Sequence, residues 1–120
     1  RTVLRRTKRI SANVHAETEQ VLTRGRISID LRGHTVLLGG LPVSLTPTEF
    51  KILTTLAKHK GRVFSRLELL EIALGEEYSG YERSIDTHIR NMRKKLENDI
   101  SNPGIILTVH GIGYKMGDST

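Results

Sequence analysis

The amino-acid sequence predicts an α+β domain: a four-stranded antiparallel N-terminal sheet, three helices and a C-terminal β-hairpin. Three observations carry that prediction. Residues 20–46 consist of short β-forming runs separated by turn signals. Two capping motifs, Thr46-Pro47-Thr48-Glu49 and Ser65-Arg66-Leu67-Glu68, each precede an apolar run. Further on, Ile85, Ile89, Met92 and Leu96 recur at spacings of four, three and four, which puts them in one seam along a helix.

The elements follow in order. Residues 1–18 are polar and basic and read as a linker or tail; 19–117 read as the domain and 118–120 as a C-terminal tail. Gln20–Gly25 and Arg26–Asp30 are the first two strands, with Ile27 and Ile29 alternating. Leu31-Arg32-Gly33-His34 is a turn, Thr35–Leu38 a strand, Gly39-Gly40 a hairpin signal, and Leu41–Thr46 a fourth strand. The first helix starts at the Thr46 cap with Pro47 as its first residue, buries Phe50, Leu53, Leu56 and Ala57, and stops before Gly61. Arg62–Phe64 has room for a very short strand. The second helix starts at the Ser65 cap, has Leu69, Leu70, Ala73 and Leu74 as its apolar face, and ends at Gly75. The third runs from about Tyr81 to Asn98, with Ser79-Gly80-Tyr81-Glu82 as a candidate capping box. Ser101-Asn102-Pro103-Gly104 breaks the chain, and residues 105–116 form the closing hairpin around His110-Gly111-Ile112-Gly113.

Charge narrows the function. The chain has 120 residues, net charge +6 and no Cys, so disulfides and thiolate metal sites are excluded. Arg1, Arg5, Arg6, Lys8 and Arg9 supply five of the 19 basic side chains, leaving 14 against 13 acidic ones in residues 10–120. The body is nonetheless polarised. Residues 68–82 carry Glu68, Glu71, Glu76, Glu77 and Glu82 without a Lys or Arg. Residues 83–95 carry Arg83, Arg90, Arg93, Lys94 and Lys95 against Asp86 alone. A cationic helix suggests an anionic partner. No apolar run approaches the roughly 18 residues needed to span a bilayer, and no apolar stretch follows the basic N-terminus as a signal peptide requires. The expectation is a cytoplasmic protein with no membrane contact and no cofactor.

On a helical wheel with the apolar seam at zero, Thr87, Arg90, Asn91, Lys94 and Asn98 fall on the far side, and Ser84, His88, Arg93 and Lys95 on the flanks. Arg and Asn pair bidentately with guanine and adenine in the major groove, while Lys, Ser and Thr hold phosphates. The alternative is an ordinary solvated helix face. Thr108, His110 and Lys115 can project from the hairpin, which either lies along a duplex or simply closes the core with Ile106, Val109 and Tyr114.

Four blocks carry a family resemblance. Residues Leu45–Leu53, Ser65–Leu70, Arg83–Leu96 and Thr108–Tyr114 resemble, in order and spacing, the three helices and the wing of the OmpR/PhoB family of response-regulator effector domains. The resemblance implies a winged helix-turn-helix fold and an output role in a two-component system. It also implies that Arg83, Ser84, Thr87, His88, Arg90, Asn91 and Arg93 lie at or near double-stranded DNA, with Arg90 and Arg93 mainly at phosphates; Lys94, on the far side of the wheel, is expected at the DNA with them. Thr108, His110 and Tyr114 would contribute from the wing. Further implications are direct-repeat sites bound by a dimer, an N-terminal receiver domain in the full-length protein, and RNA polymerase as a partner of the loop containing Glu76, Glu77 and Tyr78; a plain solvated acidic loop is the alternative there. Two positions depart from the pattern. His110 stands where the wing usually carries Arg, which implies weaker, pH-dependent minor-groove attraction. Asn91 stands where some members have a base-reading Arg, which implies a different preferred sequence.

Other classes find less support. The five His are scattered without ligand spacing, and neither a nucleophile elbow nor a phosphate-binding Gly loop is present, so no enzyme is expected. Asp86 reads as a cap or as an i,i+4 partner of Arg90. A protein–protein adaptor would not need the cationic far face of the third helix, and the 4% aromatic content offers few stacking platforms for single-stranded RNA.

Overall fold

Alternating apolar residues in four short runs build one sheet in the computed structural model, which describes residues 21–117. The strands are β1 (Val21–Arg24), β2 (Ile27–Asp30), β3 (Thr35–Leu38) and β4 (Leu41–Val43), antiparallel and in sequence order. Register places Ile29 opposite Val36 and Val36 opposite Val43, so one face is apolar, and Ile27, Ile29 and Val36 are buried on it. The fourth strand is shorter than Leu41–Thr46, because Thr46 is committed to capping a helix. In the β2–β3 turn the Asp30 carboxylate accepts from the Arg32 and Gly33 amides at 3.0 and 3.1 Å. His34 follows at φ 55° and stacks on Phe50, centroids 4.8 Å apart, fastening the turn to the first helix.

That helix, α1 (Pro47–Lys58), has the capping box its sequence announces. Thr46 Oγ1 accepts from the Glu49 amide at 3.1 Å, and Glu49 Oε1 accepts from the Thr46 amide at 3.0 Å. Such a cap contributes about 1 kcal/mol. Phe50, Leu53, Leu56 and Ala57 are buried as expected, and Ile52 is too. Ile52 lies off the expected stripe. The helix is covered on more than one side, by the next two helices and by β1 and the last strand. Arg24 ties β1 to it, donating from Nε to the Ala57 carbonyl at 2.9 Å.

Helix α2 (Arg66–Ala73) repeats the device, with Ser65 Oγ accepting from the Glu68 amide at 3.0 Å and Glu68 Oε1 from the Ser65 amide at 2.9 Å. Gly75, at φ 111°, takes a backbone conformation that ordinary L residues avoid and leads into a 3₁₀ turn, Glu76–Tyr78. Helix α3 (Arg83–Leu96) is shorter than 81–98, and its expected capping box does not form. The residue before it, Glu82, is already in the right-handed helical region (φ −57°, ψ −28°) and makes no side-chain cap bond. Ser79 instead closes the 3₁₀ turn through its amide, and the Tyr81 carbonyl accepts from Ser84 Oγ at 2.8 Å. At the other end Glu97 turns extended (ψ 140°), which leaves Asn98 outside the helix. Its carboxylate accepts from the amides of Gly104, Ile105 and Ile106 and fixes the entry to the last hairpin.

The hairpin is β5 (Ile106–Val109) and β6 (Gly113–Met116), a sheet separate from the first. The expected strand at Arg62–Phe64 is a single bridge, with Phe64 and Tyr114 exchanging backbone bonds of 2.8 and 2.9 Å. The core joins Ile27, Ile29 and Val36 of the sheet to Ile85, Ile89, Met92 and Leu96 of α3 and to Ile106, Tyr114 and Met116 of the hairpin. Fully burying side chains of this size contributes roughly 1.5–3 kcal/mol each. The basic segment 1–18 and the tail 118–120 lie outside the described residues.

Candidate nucleic-acid interface

Helix α3 separates its two faces cleanly. Ile85, Ile89, Met92 and Leu96 are at most 1% exposed. On the opposite side Arg83, Thr87, Arg90 and Lys94 are exposed, with Asn91 half-buried beside them and Ser84 and His88 half-buried on the flank. These side chains share a helix face because residues three, four and seven apart fall one above another. The helix is framed by the start of α2 on one side and by the hairpin on the other. A cleft of about 430 Å³ opens between them, lined among others by Ser65, Arg66, Asp86, His110 and Ile112.

The hairpin's tip projects. Gly111 at φ 80° lets the chain reverse, and the Ile112 amide closes the turn on the Val109 carbonyl at 2.9 Å. His110 is exposed at the tip, and Ile112 is 61% exposed, an unusual place for a large apolar side chain.

Not every candidate residue faces outward. Tyr114 is buried, and its hydroxyl donates to Asp86 Oδ1 at 2.6 Å. Burial and that bond to a carboxylate push its phenol up to about 12. Asp86 does not pair with Arg90. Its other oxygen accepts from Arg66 Nη1 at 3.0 Å, so α2 and β6, not the next turn of α3, satisfy it. Arg93 turns toward the hairpin. Its Nε and Nη2 donate to the Ile106 carbonyl at 3.2 and 2.8 Å, and Nη2 also donates to Thr108 Oγ1 at 2.7 Å. Lys95 donates to Glu49 Oε1 at 2.7 Å, which ties α3 to the cap of α1. Sequence reasoning did not single out Arg66, whose signal was its place at the start of α2, nor the Lys95–Glu49 pair, which has no local signal.

Glu76, Glu77 and Tyr78 are all exposed on the 3₁₀ turn, and the Tyr78 ring meets Tyr81 edge-on at 6.4 Å. Among the described residues no group of three or more His, Asp or Glu gathers to hold a metal, and no helix is long and apolar enough to cross a membrane.

A cationic helix held between a preceding helix and a projecting β-hairpin is the arrangement of a winged helix-turn-helix domain. Residues 40–116 match the family described as "Transcriptional regulatory protein, C terminal". The chain belongs to that family and is a C-terminal effector domain of the OmpR/PhoB type. It is 40% identical over 101 residues to the DNA-binding response regulator MtrA of Mycolicibacterium smegmatis, covering 84% of this chain and 44% of that protein. It is 40% identical over 117 residues to the alkaline phosphatase synthesis transcriptional regulatory protein SphR of Synechococcus elongatus, covering 98% of this chain and 44% of that protein. The chain thus spans less than half the length of these relatives. Among solved structures, the Klebsiella pneumoniae RstA DNA-binding domain in complex with RstA box superposes with a TM-score of 0.75 at 35% identity, covering 82% of this chain and 98% of that one. The response regulator DrrB of Thermotoga maritima, an OmpR/PhoB homolog, gives 0.75 at 35% identity, covering 88% and 50%.

Proposed function

We propose that this chain binds duplex DNA sequence-specifically as the transcription-regulating output domain of a two-component response regulator, and that it is not an enzyme. The observation that carries the reading is the two-faced α3: a fully buried apolar seam backs an exposed row of Arg83, Thr87, Arg90 and Lys94. A rigid helix of this kind fits the major groove, with long cations reaching phosphates and Asn91 reaching base edges. Ser84 and His88 extend the contact on its flank, and His110 and Ile112 at the hairpin tip reach the adjacent minor groove. The likeness to the RstA domain bound to its box supports this docking.

That the chain spans less than half of a relative described as a DNA-binding response regulator supports a receiver domain in the full-length protein; a cytoplasmic location belongs to the same reading. Pairing on direct repeats, and contact of RNA polymerase by the exposed Glu76, Glu77 and Tyr78, complete the proposal.

Two substitutions test it. Asn91→Ala relaxes base preference at one position by about 1–3 kcal/mol and leaves random duplexes unaffected. Arg90→Ala weakens all duplexes alike and lowers the salt slope by about one unit. Equal effects of both changes on preferred and random duplexes would sink this division of labour. Binding without steep salt dependence would move a protein–protein adaptor to the front.

A further inference from the structure

Two sets of polar contacts, meeting at the Tyr114 ring, cross the three elements that frame the cleft. Arg66, at the start of α2, donates to Asp86 in α3; Asp86 accepts the Tyr114 hydroxyl of β6. Two turns further along α3, Arg93 reaches β5 at the Ile106 carbonyl and the Thr108 hydroxyl, with its guanidinium 5.6 Å from the Tyr114 ring centre. We infer that this network sets the hairpin at a fixed angle to α3, and that Arg93, Thr108 and Tyr114 are positioning residues rather than DNA contacts. The inference rests on the proposed DNA-binding reading and assigns roles within it.

A two-stranded hairpin is marginal by itself and does not choose its own orientation. Here β5 and β6 form a separate sheet, and among the described residues the Phe64–Tyr114 bridge is its sole strand link to the helical part. Burial of Ile106, Tyr114 and Met116 holds the base of the hairpin against the core, but apolar contact is not directional. The guanidinium is. Its planar fork places Nε and Nη2 together on one carbonyl, which fixes both the distance and the plane of approach. That is the edge an arginine presents to a phosphate, and it is turned inward. Thr108 Oγ1 accepts from the same group, and the Tyr114 hydroxyl is spent on Asp86. The outer face of α3 with its Ser84 and His88 flank, and His110 with Ile112 at the tip, is then left for the duplex; Thr108 is exposed, but its hydroxyl is held by Arg93. A duplex presents adjacent grooves at a fixed separation, so a hairpin free to swing loses the second contact before the first.

The test is a double-mutant cycle on the 120-residue chain, with a duplex it selects. Arg93→Lys keeps the charge and loses the fork. The variant His110→Ala/Ile112→Ala removes the tip. Arg93→Lys is expected to weaken binding about tenfold with the tip present and less than about twofold without it, since coupled residues are not additive. Thr108→Val should move in the same direction by less. Without DNA, Arg93→Lys should also speed amide hydrogen exchange across Leu107–Gly113. Equal losses in both backgrounds would identify Arg93 as a direct phosphate contact and overturn the inference. If the wild-type chain prefers no duplex, the DNA reading falls; the exchange comparison still decides the positioning role, and unchanged exchange rejects it.

Discussion

Replacing Lys95 with Met should destabilise the fold while leaving DNA contact untouched, although Lys95 lies on the cationic helix. Its ammonium is 2.7 Å from Glu49 Oε1, and the Glu49 side chain is 2% exposed. At that distance, and at an effective dielectric of about 20, the gross attraction is roughly 6 kcal/mol, most of which offsets the desolvation of the two ions. The Lys95 side chain is 35% exposed, so water screens part of what remains. A net loss of about 2 kcal/mol is expected, the range for a hydrogen bond to a charged group. Methionine keeps the stem packed, so the loss isolates the ammonium. Glu49 still holds the Thr46 amide, but its charge is left buried without a counter-ion. For a domain of this size 1 kcal/mol shifts Tm by about 4–8 °C, so thermal denaturation followed by circular dichroism should show a drop of about 8–16 °C. Adding Glu49→Gln should recover much of it. Duplex affinity measured well below the transition should stay within about twofold of wild type, because the ammonium is engaged by Glu49. A Tm change under about 3 °C would mean that the pair contributes nothing, and a fall in the salt slope would put Lys95 on the DNA.

Three other changes probe the same structure. Thr54 Oγ1 is buried without a hydrogen-bond partner, so Thr54→Val should stabilise the fold by about 1 kcal/mol in urea unfolding; destabilisation would show that the hydroxyl is satisfied in solution. Tyr114, with its folded-state value raised to about 12, adds stability that is complete below pH 10 and lost as pH climbs from 10 through 12. Tyr114→Phe should delete the component near 12 from a spectrophotometric titration, and its persistence would refute the assignment. A Cβ at Gly113 would overlap the Phe64 carbonyl, so Gly113→Ala should part the hairpin from Phe64 and cost about 2 kcal/mol or more, in line with overpacking. Wild-type stability there would contradict the close approach.

Local chemistry was legible and distant chemistry was not. The caps at Thr46 and Ser65 could be read because each reciprocal bond joins residues three apart, and the α3 seam because its period survives folding unchanged. The Ser79 cap misled because the motif does not report the backbone angle at Glu82, which enters the helical region too early. Asp86 matched a standard i,i+4 spacing with Arg90, yet Arg66 and Tyr114, 20 and 28 residues away in sequence, compete for the same carboxylate. Arg93 looked like its neighbours on the wheel. Only the placement of β5 against α3 shows that its fork meets the Ile106 carbonyl. A helical wheel separates buried from exposed; it does not tell which exposed cation has already found an acceptor within the protein.

Selection from a random duplex library at about 150 mM salt, near physiological ionic strength, bears most directly on the proposal that this chain reads DNA sequence. A short motif should be enriched, repeated about one helical turn apart if two copies pair on direct repeats. A single enriched half-site would preserve the DNA reading and place the pairing in the rest of the full-length protein. Salt-sensitive bulk binding with no enriched motif would contradict sequence-specific recognition and leave the cationic face of α3 to some other partner.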